Sequence, residues 1–200
     1  MSKKEELEKL KEKMLADKTV PLREGATNLV FGEGNPETKI LMIGEGPGFH
    51  EDRLGRPFVG NAGSVLNKLL ESINLKREDV FITNMVFYRP PNNRDPEPHE
   101  LAAFAKYMDQ IIDIITPKVI VTLGRFSMGK FLPDVKISSV HGKTFKLKWK
   151  NKEIVVVPMY HPAAALRRTD VMQQLKEDFL KLPKVLEEAT KPELKQTELF

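Results

Sequence analysis

Four consecutive apolar residues, Ile40-Leu41-Met42-Ile43, run directly into Gly44-Glu45-Gly46-Pro47-Gly48. An apolar run of this kind, ended by glycine, reads as a strand covered on both faces, as in a parallel sheet flanked by helices. In open α/β sheets, ligands bind outside the carboxyl ends of the strands. Glycines at that position let backbone approach a ligand closely. The stretch continues as Phe49-His50-Glu51-Asp52 and closes with Gly55-Arg56-Pro57-Phe58-Val59-Gly60-Asn61-Ala62-Gly63. It thus brings acids and an aromatic ring to a strand end, ahead of a helix expected from about Ser64 to Ile73.

The rest of the chain alternates in the same way. Ser2 to Leu15 reads as a polar helix with a capping box from Ser2 and Glu5 and one thin stripe of Leu7, Leu10 and Met14. Leu22 to Thr38 reads as a loop. Val80–Asn84 and Val119–Leu123 read as buried strands, separated by a proline-rich loop, Arg89–Pro98, and a long helix, Pro98–Ile115. Thr144–Trp149 and Glu153–Val157 form a hairpin around Lys150-Asn151-Lys152, its second arm entering the sheet. Val171–Glu188 is the last helix. The expected fold is α/β: a three-layer α/β/α sandwich around a central, mainly parallel four-stranded sheet. Residues 1–189 are expected to form one domain, with the N-terminal helix in 1–16, and residues 190–200 a flexible polar tail.

Composition narrows the chemistry. A net charge of +4 is a mild basic bias, compatible with a phosphate-backbone partner but equally with a lysine-rich solvated surface balanced by glutamates. No apolar run is long enough to span a membrane, and the charged start Met1-Ser2-Lys3-Lys4-Glu5-Glu6 lacks a signal core. A cytoplasmic, intracellular protein is therefore expected. The absence of cysteine excludes disulfides, thiolate metal sites and a cysteine nucleophile.

Three further blocks stand in order behind the glycine-rich stretch: Ile82-Thr83-Asn84, then Tyr88-Arg89-Pro90-Pro91-Asn92-Asn93-Arg94, then His161-Pro162-Ala163-Ala164-Ala165-Leu166-Arg167-Arg168. Together, over roughly residues 17–185, they resemble the family 4 uracil-DNA glycosylases in order and spacing. The resemblance implies a monofunctional DNA repair enzyme of base excision, which flips deoxyuridine and hydrolyses its N-glycosidic bond. Free uracil leaves and an abasic site remains in the uracil-containing DNA. No lysine stands in the matched motifs to form a Schiff base. The protein is expected to act as a monomer.

The resemblance also assigns roles. An amide at Asn84 presents donor and acceptor together and can match uracil N3–H and O4, a pattern that cytosine reverses. Phe58 is placed to stack on the flipped base. His161 is placed to donate an N–H to the anion developing on O2. Gly46 and Pro47 contribute backbone to the base pocket, Glu51 is placed near uracil C5 where it disfavours the thymine methyl, and Glu45 is placed to position water or polarise the site. Better-known relatives use an aspartate two residues after the first motif glycine on the water; Gly46 stands there in this chain, which leaves the general base open. Leu166 fills the gap left by the flipped base, and Arg167, Arg168 and Arg89 contact phosphates.

Two features stand apart from those motifs. The resembled family usually holds an iron–sulfur cluster on four cysteines, whose places here fall at Asp17, Val20, Tyr88 and Phe104. No cluster, metal or other cofactor is therefore expected. The last residues, Gln196-Thr197-Glu198-Leu199-Phe200, resemble the short peptides by which repair proteins grip a replication sliding clamp, with Gln196 for a polar pocket and Leu199 and Phe200 for an apolar one.

Two alternatives belong to other classes. A non-catalytic uracil- or DNA-binding protein shares the same motifs. A nucleotide-binding α/β oxidoreductase would use Gly44, Gly46 and Gly48 as a dinucleotide fingerprint. Against it, the third glycine comes one residue early, Pro47 intrudes, and no second strand ending in an acid follows.

Overall fold

A computed structural model describes residues 1–191; the tail residues Gln196, Leu199 and Phe200 lie outside the described residues. The elements in chain order are α1 (Lys3–Ala16), β1 (Glu33–Gly34), β2 (Ile40–Gly44), α2 (Phe49–Leu54), α3 (Asn61–Glu71), β3 (Phe81–Asn84) and α4 (Pro98–Ile115). Then come β4 (Val119–Leu123), α5 (Arg125–Gly129), α6 (Ile137–Val140), β5 (Phe145–Trp149), β6 (Lys152–Met159), α7 (Pro162–Ala165) and α8 (Thr169–Thr190). Short 3₁₀ turns at Arg77–Asp79 and Pro91–Asn93 flank β3.

The strands form one sheet in the order β1-β3-β2-β4-β6-β5. β3, β2, β4 and β6 are mutually parallel, as the apolar runs require. The expectation of four strands is corrected to six, because an antiparallel strand is added at each edge. β1 has only two residues, paired with Ile82 and Phe81, inside the stretch read as loop; a segment that short has no period to detect. A Cβ on Gly34 would lie 1.9 Å from the Val80 carbonyl oxygen, so this edge pairing depends on glycine. β5 alternates half-buried Phe145, Leu147 and Trp149 with exposed Lys146 and Lys148, which discourage further pairing along that edge.

Strand alternation divides the apolar side chains between two cores. Leu41, Ile43, Ile120, Ile154 and Val156 face the layer of α1 and α4; Ile40, Met42, Val119, Val121, Val155 and Val157 face the layer of α3 and α8. α4 contributes Phe104, Met108, Ile111 and Ile115 at helical spacing, and α3 contributes Leu66, Leu69 and Leu70. The capping box expected at Ser2 and Glu5 is present at the start of α1. No described helix is long and apolar enough to cross a membrane. Each parallel strand ends at the same edge of the sandwich, and the glycine-rich stretch lies there.

Candidate active site

The cavity at the carboxyl ends of β2, β3 and β6 has a volume of about 440 Å³. Every residue expected to contact the base lines it: Glu45, Gly46, Pro47, Glu51, Phe58, Asn84 and His161. Arg167 lines it as well, whereas Arg89, Leu166 and Arg168 do not. Pro90, Asn93, Arg94, Asp95 and Pro96, from the proline-rich loop, complete the wall.

Asn84 ends β3 directly opposite Gly44, which ends β2. A Cβ on Gly44 would stand 2.4 Å from Asn84 Oδ1 and 2.6 Å from the Phe58 ring. Glycine there is what lets amide and ring converge above the strand ends. Asn84 is buried, yet its amide makes no hydrogen bond to another of the described residues. The amide atoms instead keep accessible surface, and the side chain lines the cavity with donor and acceptor both unpartnered among the described residues.

Phe58 adopts φ +51°, the left-handed region that a bulky residue enters only under constraint. The constraint comes from several sides. A Cβ on Gly63 would lie 1.8 Å from the Phe58 carbonyl oxygen, so α3 can start this close to the loop only with glycine. Glu51, in α2, accepts N–H bonds from Val59 at 2.9 Å and Gly60 at 2.8 Å through Oε1, and from Gly48 at 3.2 Å through Oε2. The Glu51 carboxylate is therefore engaged with the loop on both oxygens. So held, the Phe58 ring stacks against His161 with centroids 5.5 Å apart and an interplanar angle of 27°.

His161 is the N-cap of α7, where its Nδ1 accepts the Ala163 N–H at 3.1 Å. A nitrogen that accepts carries no proton, so in the neutral ring the proton sits on Nε2. Burial lowers the imidazole pKa to about 4, against a smaller upward pull from the charge of Glu51. The ring is thus a neutral N–H donor across the physiological range.

Glu45 turns away from the loop and accepts the Phe126 N–H at 3.1 Å, at the start of α5. A Cβ on Gly124, where φ is +110°, would lie 2.3 Å from Glu45 Oε1. Burial raises the Glu45 pKa, and the nearby charge of Asp95 adds to that, while the Phe126 N–H and Arg125 oppose it.

The basic residues divide by partner. Arg89 donates to Asn93 Oδ1 at 2.7 Å and lies over the Phe49 ring at 5.3 Å. Arg168 is paired with Asp170. Arg167 has no ion pair among the described residues. Leu166 is 50% exposed, beside the cavity rather than in it. Arg94 makes a bidentate bond to buried Glu100, at 2.8 and 2.6 Å, which fixes the far wall. The sequence signal for that wall was the run Pro90–Arg94 itself; what it lacked was any sign that Glu100, a helix residue, would be the anchor.

The four positions where a cluster would be ligated also come together, with a different chemistry. Val20, Tyr88 and Phe104 belong to one buried apolar cluster, the last two with ring centroids 6.3 Å apart. Asp17, at the end of α1, accepts bonds from Tyr107 Oη at 2.5 Å, Lys106 Nζ at 2.9 Å and the Thr19 hydroxyl at 2.6 Å. These bonds hold the Asp17 carboxyl well below the usual range, the Thr19 hydroxyl having the largest effect. A thiolate-ligated iron–sulfur cluster does not fit a valine, a phenylalanine, a buried tyrosine and a carboxylate committed to three neighbours, since none of the four is a thiolate.

The profile of the Uracil DNA glycosylase superfamily matches residues 31–183. A type-4 uracil-DNA glycosylase of Sulfurisphaera tokodaii is 48% identical over 182 residues, covering 88% of this chain and 83% of that protein. One from Archaeoglobus fulgidus is 40% identical over 184 residues, covering 89% and 92%. One from Thermotoga maritima is 42% identical over 166 residues, covering 83% and 86%. The chain belongs to the uracil DNA glycosylase superfamily, among the type-4 enzymes, as a member without cysteine.

Proposed function

We propose that this protein removes uracil from DNA by hydrolysing the N-glycosidic bond of deoxyuridine. The observation that carries the reading is the Asn84 amide, open to the cavity and without a partner among the described residues, facing the same cavity as the neutral His161 and the Phe58 ring. The amide pairs with N3–H and O4 of a flipped uracil; cytosine would leave buried groups unpaired. The Phe58 ring stacks on the base.

In the reaction the bond between C1′ and N1 breaks, and its electron pair passes into the base, with charge building on O2. His161 Nε2–H donates to that oxygen, a contribution typical of about 10²–10³ in rate. Water adds to C1′, and the proton it loses balances the one taken up, through solvent, by the departing uracil anion. Glu45, which follows β2, lines the cavity and is held by the Phe126 N–H of α5, positions that water. No lysine lines the cavity, which fits a hydrolase that leaves the abasic site uncleaved.

Arg167 at the rim, with Arg89 and Arg168, meets phosphates of the DNA, and exposed Leu166 enters the stack. The domain, residues 1–189, acts as a monomer inside the cell, and no iron–sulfur cluster takes part. The tail, through Gln196, Leu199 and Phe200, tethers it to a replication sliding clamp. Calorimetry with the clamp of the source organism should give micromolar affinity, about −8 kcal/mol. A chain ending at Lys195 should show none; equal binding by both would remove the clamp from the reading.

A single-turnover assay on an oligonucleotide with one deoxyuridine tests the central proposal. Free uracil and an alkali-labile site are expected with EDTA present. Tight binding of the oligonucleotide without release at any temperature would make this a binding protein instead.

A further inference from the structure

We infer that Arg77 is a positioning residue for the base-stacking ring, acting on the backbone of Phe58 from outside the cavity. Arg77 lies in the 3₁₀ turn before β3 and does not line the cavity. Its guanidinium nevertheless reaches the loop. Nη1 donates to the Phe58 carbonyl at 3.1 Å and to Asn67 Oδ1, on α3, at 3.1 Å. Nη2 donates to the Pro57 carbonyl. Nε donates to Glu33 Oε1, on β1, at 2.6 Å.

The two carbonyls it holds are the one before Phe58 and that of Phe58 itself. They bracket the φ and ψ of the one residue in this loop with a strained left-handed backbone. Glu51 holds the downstream side, through the Val59 and Gly60 N–H groups. Arg77 holds the peptide before Phe58 by the Pro57 carbonyl and shares the peptide after it with Glu51, gripping its carbonyl end while Glu51 takes its N–H, so both peptides flanking the strained residue are fixed. A planar fork with several fixed donors suits this task, whereas a lysine ammonium would not span both carbonyls and the carboxylate.

Glu33 completes the device. It accepts from Arg77 and also from Arg56 Nε at 2.6 Å. Its side chain is mostly buried, and those two arginines hold its carboxyl below the usual range despite the opposing effect of burial. The two-residue strand β1 thus has a function beyond closing the sheet edge: it delivers the carboxylate that aims the guanidinium.

The inference rests on Phe58 being the stacking ring, and the test separates the two. Single-turnover rates are measured for wild type, Arg77→Gln, Phe58→Ala and the double variant. Arg77→Gln alone should slow uracil release by about tenfold to a hundredfold, and in the Phe58→Ala background by less than about twofold, because both act through one ring. Arg56→Gln, which meets Glu33 but neither carbonyl, should stay within about twofold of wild type. Glu33→Gln keeps the guanidinium and serves if Arg77→Gln fails to fold; it should show the same dependence on Phe58. Equal losses in both backgrounds, or a wild-type rate in Arg77→Gln, would overturn the role of Arg77. A wild-type rate in Phe58→Ala would instead overturn the stacking reading.

Discussion

His161 gives the sharpest test, because its environment predicts two pH profiles of known sign. The folded ring titrates near about 4, against 6.5 for the free side chain. Between these values the unfolded chain holds a proton that the folded chain refuses. Stability is then complete above about pH 6.5 and falls as the pH drops toward 4, since the unfolded state binds more protons in that window. At about 1.4 kcal/mol per tenfold change in proton affinity, the loss is about 3 kcal/mol. Carboxylates titrate in the same region, so the measurement is a difference: urea unfolding of wild type and His161→Gln across this window. The wild type should lose about 3 kcal/mol relative to the variant by about pH 4. Parallel curves would show that burial does not depress this imidazole. His161 should add no limb to the rate of uracil release above about pH 5, since the neutral donor persists there; a limb from Glu45, whose pKa burial raises, is told apart by its loss in Glu45→Gln. A limb centred near 6.5 would refute the buried donor, and a rate that rises as the ring becomes charged would refute the neutral one.

Other consequences are as direct. Asn84→Ala should lower the single-turnover rate by about 10²–10³ with little change in melting temperature, because the amide bonds no described residue that would lose a partner; early melting with a normal rate would make Asn84 structural. Glu51→Ala leaves three backbone N–H groups without their acceptor and should lower both stability and rate, while thymine release stays blank; thymine release by the variant would assign methyl exclusion to the carboxylate. Phe104→Ala should cost about 3–5 kcal/mol, since the ring is fully buried where relatives place a cluster. The wild type should be colourless with a melting temperature indifferent to chelators, and visible absorbance removed by chelation would refute the apolar replacement.

The central sheet and the cavity were legible because they are written in runs. Ile40–Ile43 and Ile154–Val157 are continuous apolar segments and Val119–Leu123 is apolar but for Thr122, and such segments favour a buried parallel sheet. The residues expected at the base converge for the same reason: they follow strand ends that the parallel register brings to one edge. The short helix Phe49–Leu54 escaped notice because glycines and charge hide a one-and-a-half-turn element that exists by virtue of its caps.

What the sequence did not reveal is how the site is held, and the reason is the same at each point. Glu51 stands in the motif and lines the cavity, but nothing in its spacing shows that its oxygens also accept backbone N–H groups of Gly48, Val59 and Gly60. Arg77 and Glu33 lie 19 and 25 residues from Phe58 in sequence, respectively, in a turn and a two-residue strand too short to show periodicity, and Arg77 grips peptide carbonyls that carry no residue identity. A hydrogen bond to backbone leaves no trace in the identity of its partner, so pattern and spacing cannot report it. The left-handed Phe58 concentrates this problem. Its ring is displayed to the cavity only if the peptide groups around it are pinned, and the pins arrive from α2 and from the turn before β3, the latter aimed by the carboxylate of β1. Two elements that no pattern linked converge on one strained residue and a third orients one of them, which is the arrangement expected where a fold stores strain in order to present a side chain.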